Sequence, residues 1–277
     1  MSDDVKSPKN ADRPVWHLSY VASTAFLLII TAASGFVLQR KGYALPDTVY
    51  WIEVGMGLIL VCLMVYAIIR KQGTYSWWET MMWLISMGGM WVLALSVLPV
   101  WAAVLAAAGV TVVSYYWPLT IWHDVALLIG SAGVGLLAAL HFPYVVMLVS
   151  ALGVALYEYM RHQDMGLATM FSEADRAGVV PGLLLPSRFG GWFKSVVAVW
   201  RPGEGQLIGV LPFMVMSAMA FHVAGRSAIF LVAYAACILI AGSVWGLDKR
   251  HILRTWVFSA AGAGAYILYG LAKIFLV

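Results

Sequence analysis

Long uninterrupted apolar blocks alternate along this chain with short polar connections. A membrane-crossing helix needs about 20 mostly apolar residues, and fewer when it packs inside a bundle. Applied along the chain, that rule predicts nine helical spans, at 18–38, 49–69, 77–98, 100–113, 120–140, 144–159, 206–223, 227–245 and 255–275. Only Leu98-Pro99 separates the third from the fourth. Proline lacks the N–H a helix interior needs and its ring clashes with the preceding turn, so a break is predicted there. Pro118 and Pro143 mark two further boundaries. The expected fold is all-α, with a polar tail at 1–17, spans one to six over 18–160, a loop at 161–202 and spans seven to nine over 203–277.

Composition supports a bilayer setting. With 62% hydrophobic residues, 11% charged residues and a mean hydropathy of +0.87, the chain has too little polar surface to coat a soluble domain of 277 residues. Residues 1–16 are polar and mixed in charge, without a basic n-region and cleavage site, so the first apolar block is expected to be retained as a span. Cys62 and Cys237 lie inside apolar runs without CxxC spacing, which argues against a disulfide framework or a zinc site. The net charge of +4 comes from basic residues in connecting loops rather than from a nucleic-acid-binding stripe, so no nucleic-acid partner is expected. With nine spans, thirteen Lys and Arg fall on the N-terminal side and only Arg40, Lys41, Arg226 and Lys273 on the other. Positive charge favours the cytoplasmic side, which predicts a cytoplasmic N-terminus and a cytoplasmic loop between spans six and seven, in a multi-pass protein of the cell membrane. Merging spans three and four nearly abolishes that bias.

The one long connection, 160–201, holds most of the mid-chain charge together with Pro181, Pro186 and Gly190-Gly191. Within it, Leu183-Leu-Leu and Phe189-Gly-Gly-Trp-Phe are apolar enough to lie on the membrane surface or to cover a cleft, so partial order is expected. Trp16, Trp51, Trp77, Trp78, Trp117, Trp192 and Trp245 cluster at predicted span ends, as interfacial anchors do. Met214, Met216 and Met219 read as bundle packing, and Gly130-Ser-Ala-Gly133-Val-Gly135 and Ala260-Ala-Gly262-Ala-Gly264-Ala as sites of close helix approach.

An ionisable group inside hydrocarbon costs about 2.5 to 3.5 kcal/mol on insertion scales, so each needs a partner or a purpose. Glu53 and Glu79 fall near span ends, where interfacial anchoring accounts for them. His123-Asp124 follows Trp117-Pro118 at the start of span five, where helix capping or mutual pairing is expected. Glu158, ending span six, and Gln206, opening span seven, are the pair that a division of six spans and three brings together. The six histidines lie mostly at interfaces or in loops, which gives no haem-type pair, and Lys273 near the C-terminus is placed to snorkel. No metal or cofactor is expected.

The sixth span ends Val154-Ala-Leu-Tyr157-Glu158-Tyr159, and the seventh opens Gly203-Glu204-Gly205-Gln206-Leu-Ile-Gly209. These segments resemble the active-site frame of presenilin and signal-peptide-peptidase intramembrane aspartyl proteases, most closely the archaeal members. In that family the sixth span ends in Tyr-Asp and the seventh opens with Gly-x-Gly-Asp. Asp164-Met165-Gly-Leu167-Ala168 is similar to a His-Met-x-x-Leu-Ala stretch that archaeal members carry about one helical turn later. The resemblance is motif-level over about residues 120–220 and topological elsewhere. It implies catalytic positions at Glu158 and Gln206, with Tyr157, Gly203, Glu204 and Gly205 as supporting motif residues.

Three departures accompany the resemblance. Glutamate and glutamine stand where the family has its two aspartates, and no Pro-Ala-Leu motif opens span nine, which reads Asp248-Lys-Arg-His251-Ile-Leu-Arg254-Thr-Trp256. The nearest analogue, Gly270-Leu271-Ala272, lies at the far end of that span. Aspartyl proteolysis needs two carboxyl groups sharing one proton, one activating water while the other protonates the carbonyl oxygen. Glutamine carries no titratable proton, and glutamate is one methylene too long where a misplacement of about 1 Å costs about 10²-fold. The expected function is a degenerate, non-proteolytic family member that binds or handles client transmembrane helices within the lipid bilayer. The alternatives are an intramembrane protease that is still active or was deliberately inactivated, and a transporter or channel using the same polar cleft.

Overall fold

A computed structural model describes residues 16–40, 84–117, 119–162, 182–186, 188–199, 205–224, 227–246 and 254–276. Among them the chain is mostly helical. Helix α1 spans Trp16–Arg40; a single π-helical turn, Leu84–Gly88, leads into α2 (Gly89–Val97), followed by α3 (Val100–Tyr116), α4 (Thr120–His141) and α5 (Tyr144–His162). Next come strand β1 (Leu183–Pro186), a 3₁₀ turn (Phe189–Phe193), the short α6 (Val196–Val199) and strand β2 (Gly205–Ile208). Helices α7 (Leu211–Ala224), α8 (Ala228–Trp245) and α9 (Thr255–Leu276) close the chain. The span predicted at 49–69, the first part of the one at 77–98, and with them Glu53, Glu79 and Cys62 lie outside the described residues.

Among the described residues, four helices are long and apolar enough to cross a membrane, over Leu18–Leu38, Thr120–His141, Ala228–Trp245 and Thr255–Ile274. Their outward faces carry large apolar side chains, among them Ile29, Phe36, Ile229, Val232 and Ile274, which suits contact with lipid rather than water. The boundaries expected at Pro99 and Pro143 fall there, and Pro118 lies outside the described residues. Leu98 and Pro99 are extended and separate α2 from α3, and α5 starts directly after Pro143, which keeps its carbonyl to accept from Met147 N at 3.2 Å. Cys237, at the middle of α8, is an exposed free thiol. On that outward face it is expected to resist a charged, water-borne thiosulfonate reagent in proteoliposomes, because such a reagent does not enter hydrocarbon. Mass spectrometry in a Cys62→Ser background checks this, with labelling after denaturation as the positive control.

Helix α7 is the centre of the bundle. From Met216 to Ala224 every side chain is buried, and the helix packs on α1, α4, α5, α8 and α9. Met216 and Met219 sit in the core and Met214 packs on it, as bundle packing requires. Polar contacts stitch three helices together there. Thr31 Oγ1 donates to Leu27 O at 2.8 Å and lies 3.1 Å from Ser217 Oγ, which itself reaches Ala132 O at 3.3 Å. Backbones approach closely where α4 carries glycine. A Cβ on Gly130 would overlap the Ile85 carbonyl, one on Gly133 the Gly89 carbonyl, and one on Gly135 would lie 2.7 Å from the Ser217 side chain.

One short pair of strands, not expected from the sequence, accompanies the helices. Strands β1 and β2 form an antiparallel pair with Leu183 opposite Ile208, Leu184 opposite Leu207, Leu185 opposite Gln206 and Pro186 opposite Gly205. Side chains alternate along a strand, so Leu183 and Leu185 enter the helical core while Leu184 turns to Val196 and Val199 of α6. The predicted seventh span is corrected with it. Residues 205–208 are strand rather than helix, and the helix starts at Leu211, where Pro212 is tolerated because first-turn N–H groups have no intrahelical partner. Trp192 packs, half-buried, against the core.

Candidate functional site

Glu158 lies near the C-terminal end of α5, is 1% exposed, and is faced by two other elements. From the first turn of α9, the buried Thr255 hydroxyl donates to Glu158 Oε2. From the connection between β2 and α7, Gly209 lies within reach of the other oxygen, a Cβ built there standing 3.8 Å from Glu158 Oε1 at ordinary van der Waals distance. A carboxyl group at the end of one apolar helix thus meets the segment that opens a later one, with a third helix holding its second oxygen. Around it, Tyr157 is half-buried, and Tyr159 meets Trp256 edge-on with ring centroids 5.5 Å apart.

Gln206 is a strand residue paired with Leu185, three positions before Gly209. Its backbone therefore belongs to the element that leads to Glu158, while its side chain, Gly203 and Glu204 lie outside the described residues. Gly205 closes the ladder opposite Pro186. Sequence reasoning missed Thr255. It stands in the segment where the Pro-Ala-Leu motif was sought, but nothing about a lone threonine at a helix start announces a carboxyl partner. Gly270, the nearest analogue of that motif, packs instead on the Tyr144 ring at the opposite end of α5, where Tyr144 OH donates to Tyr266 O at 2.7 Å.

His123 and Asp124 form a second polar cluster, and its role differs from the expected one. They neither pair with each other nor cap their own helix. His123 Nε2 lies 3.0 Å from Gly182 O, and Asp124 Oδ1 accepts from Leu184 N at 2.9 Å, so the first turn of α4 holds β1 by its backbone. Thr120 joins in, its N–H and its hydroxyl both donating to Lys194 O, at 3.0 and 3.1 Å. The physical reason is accounting. The edge of a two-stranded sheet inside an apolar bundle has backbone groups that must be satisfied, and α4 supplies the partners. Replacing Asp124 with alanine is expected to cost about 1–2 kcal/mol by leaving Leu184 N–H buried without its acceptor. Faster amide exchange at Leu184, with exchange in the middle of α8 unchanged, is the measurement that checks it.

Comparison of the chain with protein-family models, with curated proteins and with solved structures finds no match.

Proposed function

We propose that this chain is a presenilin-like polytopic membrane protein with nine crossings split six and three, a cytoplasmic N-terminus and a degenerate aspartyl-protease site at Glu158 and Gln206. On this reading it cleaves nothing and binds or handles the transmembrane helices of client proteins. The observation that carries the proposal is the encounter of the buried Glu158 carboxyl with Gly209, between two helices far apart along the chain and next to the strand that contains Gln206. The thirteen-to-four distribution of basic residues supports the orientation.

The chemistry of the two side chains follows from what they can donate and accept. A carboxylic acid facing a carboxamide can donate to the amide oxygen while accepting from its NH₂, which satisfies both without net charge. The same pair cannot exchange general-acid and general-base roles, because a carboxamide has no acidic proton to give or take back. Thr255 adds a donor aimed at Glu158 Oε2, which occupies a lone pair that a catalytic carboxylate would turn to water or substrate.

The test is cleavage of a generic transmembrane substrate in proteoliposomes. The unmodified protein is expected to release no product but to crosslink to the substrate helix. Glu158→Asp combined with Gln206→Asp is expected to restore cleavage, and each change alone is not. Product from the unmodified protein would refute the non-proteolytic reading. Neither crosslinking by the unmodified protein nor cleavage by the double variant would refute the kinship as well.

A further inference from the structure

A groove of about 470 Å³ opens between the first turns of α1 and α4 and runs down both helices, from Leu18 to Phe26 and from Ile121 to Leu128. Eight residues of helix rise about 12 Å, so the groove reaches most of the way through one leaflet of a bilayer whose hydrocarbon core is about 30 Å thick. Its walls are almost wholly apolar, and the exposed Leu18 and Phe26 place its open side on the apolar exterior of the bundle. The 3₁₀ turn closes the end where both helices begin. Trp192 packs that turn against the core, and both donors of Thr120 hold the Lys194 carbonyl at the start of α4. Phe189 and Phe193, 74% and 61% exposed with ring centroids 6.3 Å apart, therefore form an aromatic edge over the groove. Exposed basic residues bracket the turn, Arg188 preceding it and Lys194 following it. Among the described residues the two acids, Asp124 and Glu158, are both buried, so the exposed charge at this mouth is positive.

We propose that this groove is a binding site for an anionic phospholipid, with an acyl chain lying between α1 and α4 and the phosphate meeting Arg188 and Lys194 at the mouth. Three features select that occupant. The apolar depth matches one leaflet, which is the reach of a lipid chain. Exposed aromatic rings at the closed end belong at headgroup level, where one side of the ring is apolar and the other wet. Basic side chains at a groove between membrane helices attract anionic headgroups, whereas a zwitterionic lipid fills the same groove without gaining from that charge. A soluble phosphate meets the charge but leaves the groove unused. This site depends only on a bilayer setting, so it stands or falls separately from the reading of Glu158.

The test uses the full chain in phosphatidylcholine nanodiscs containing a small fraction of phosphatidylglycerol that carries a diazirine in its acyl chain, followed by peptide mapping. The phosphatidylcholine analogue of the same probe is the comparison. Labelling of residues 18–26 and 121–128 by the anionic probe is expected to exceed that by its zwitterionic analogue at least about fivefold, the worth of about one basic residue beside an anionic headgroup. Arg188→Gln, at an exposed position, is expected to lower that preference at least about threefold and to leave labelling by the zwitterionic probe unchanged, while Arg188→Lys restores most of it. Ala22→Trp fills the groove from an exposed α1 position and is expected to reduce labelling by both probes at least about fivefold, whether or not the Arg188 variants fold. Millimolar glycerol 3-phosphate is expected not to compete. Equal labelling by the two probes in the unmodified protein overturns the proposal. So does a preference that Arg188→Gln leaves intact, labelling that Ala22→Trp leaves unchanged, or competition by glycerol 3-phosphate, which marks a site for a soluble anion instead.

Discussion

Replacing Gly133 with valine is expected to cost about 3 kcal/mol or more and to leave much of the protein unfolded. The magnitude follows from what the new side chain meets. A Cβ at Gly133 would overlap the carbonyl of Gly89, so the obstacle is backbone rather than the far end of a flexible side chain. Neighbouring contacts offer no slack, since Gly130 presses on the Ile85 carbonyl and Gly135 on Ser217, pinning α4 at three levels against two partners. Overpacked cores lose about 1–3 kcal/mol when side chains can shift, and more when they cannot. Against a typical net stability of about 5–15 kcal/mol, that is a large fraction. Gly109 of α3 supplies the comparison, because a Cβ there meets nothing within 4 Å among the described residues. Gly109→Ala is expected to be neutral or to gain up to about 1 kcal/mol from helix propensity. Unfolding midpoints in mixed SDS micelles check both, and a Gly133 variant as stable as the Gly109 variant would show that α2 and α4 do not meet this way.

Much of the helical frame was legible in advance because long apolar blocks leave little choice. The blocks predicted at 18–38, 120–140, 144–159, 227–245 and 255–275 differ from the helices found there by a few residues at most. Glycine spacing also pointed to the close face of α4. It was a poorer guide in α9, where Gly262 lies near Tyr234 but a Cβ on Gly264 would meet nothing among the described residues. The sheet was not legible. Four apolar residues such as Leu183-Leu-Leu-Pro186 carry no periodicity that separates a strand from a fragment of helix, and their partner lies some twenty residues further on. For the same reason Gln206 read as the start of a helix, since its neighbours are as apolar as the helix that follows. The duties of His123 and Asp124 were hidden because they arise from the backbone needs of β1, which exist only once the strand is placed.

Replacing Thr255 with valine is expected to destabilise the protein by about 2–3 kcal/mol, while Glu158→Gln costs under about 1 kcal/mol. Valine keeps the shape of threonine and removes only the hydroxyl that donates to Glu158 Oε2, so the buried carboxyl loses a partner without the site gaining space for water. Glutamine keeps an oxygen able to accept from Thr255 and nearly the same volume. Combining Thr255→Val with Glu158→Leu, which removes both halves of the contact, is expected to cost less than the sum of the single changes, with the shortfall measuring the coupling. Additive costs would mean that Thr255 and Glu158 act independently, and α9 would lose its polar tether to the end of α5. Strong coupling has a functional consequence under the proposed reading. The residue that holds Glu158 also keeps one of its oxygens from water, so any return of proteolysis by Glu158→Asp with Gln206→Asp should rise further when Thr255→Val is added, at the expense of stability.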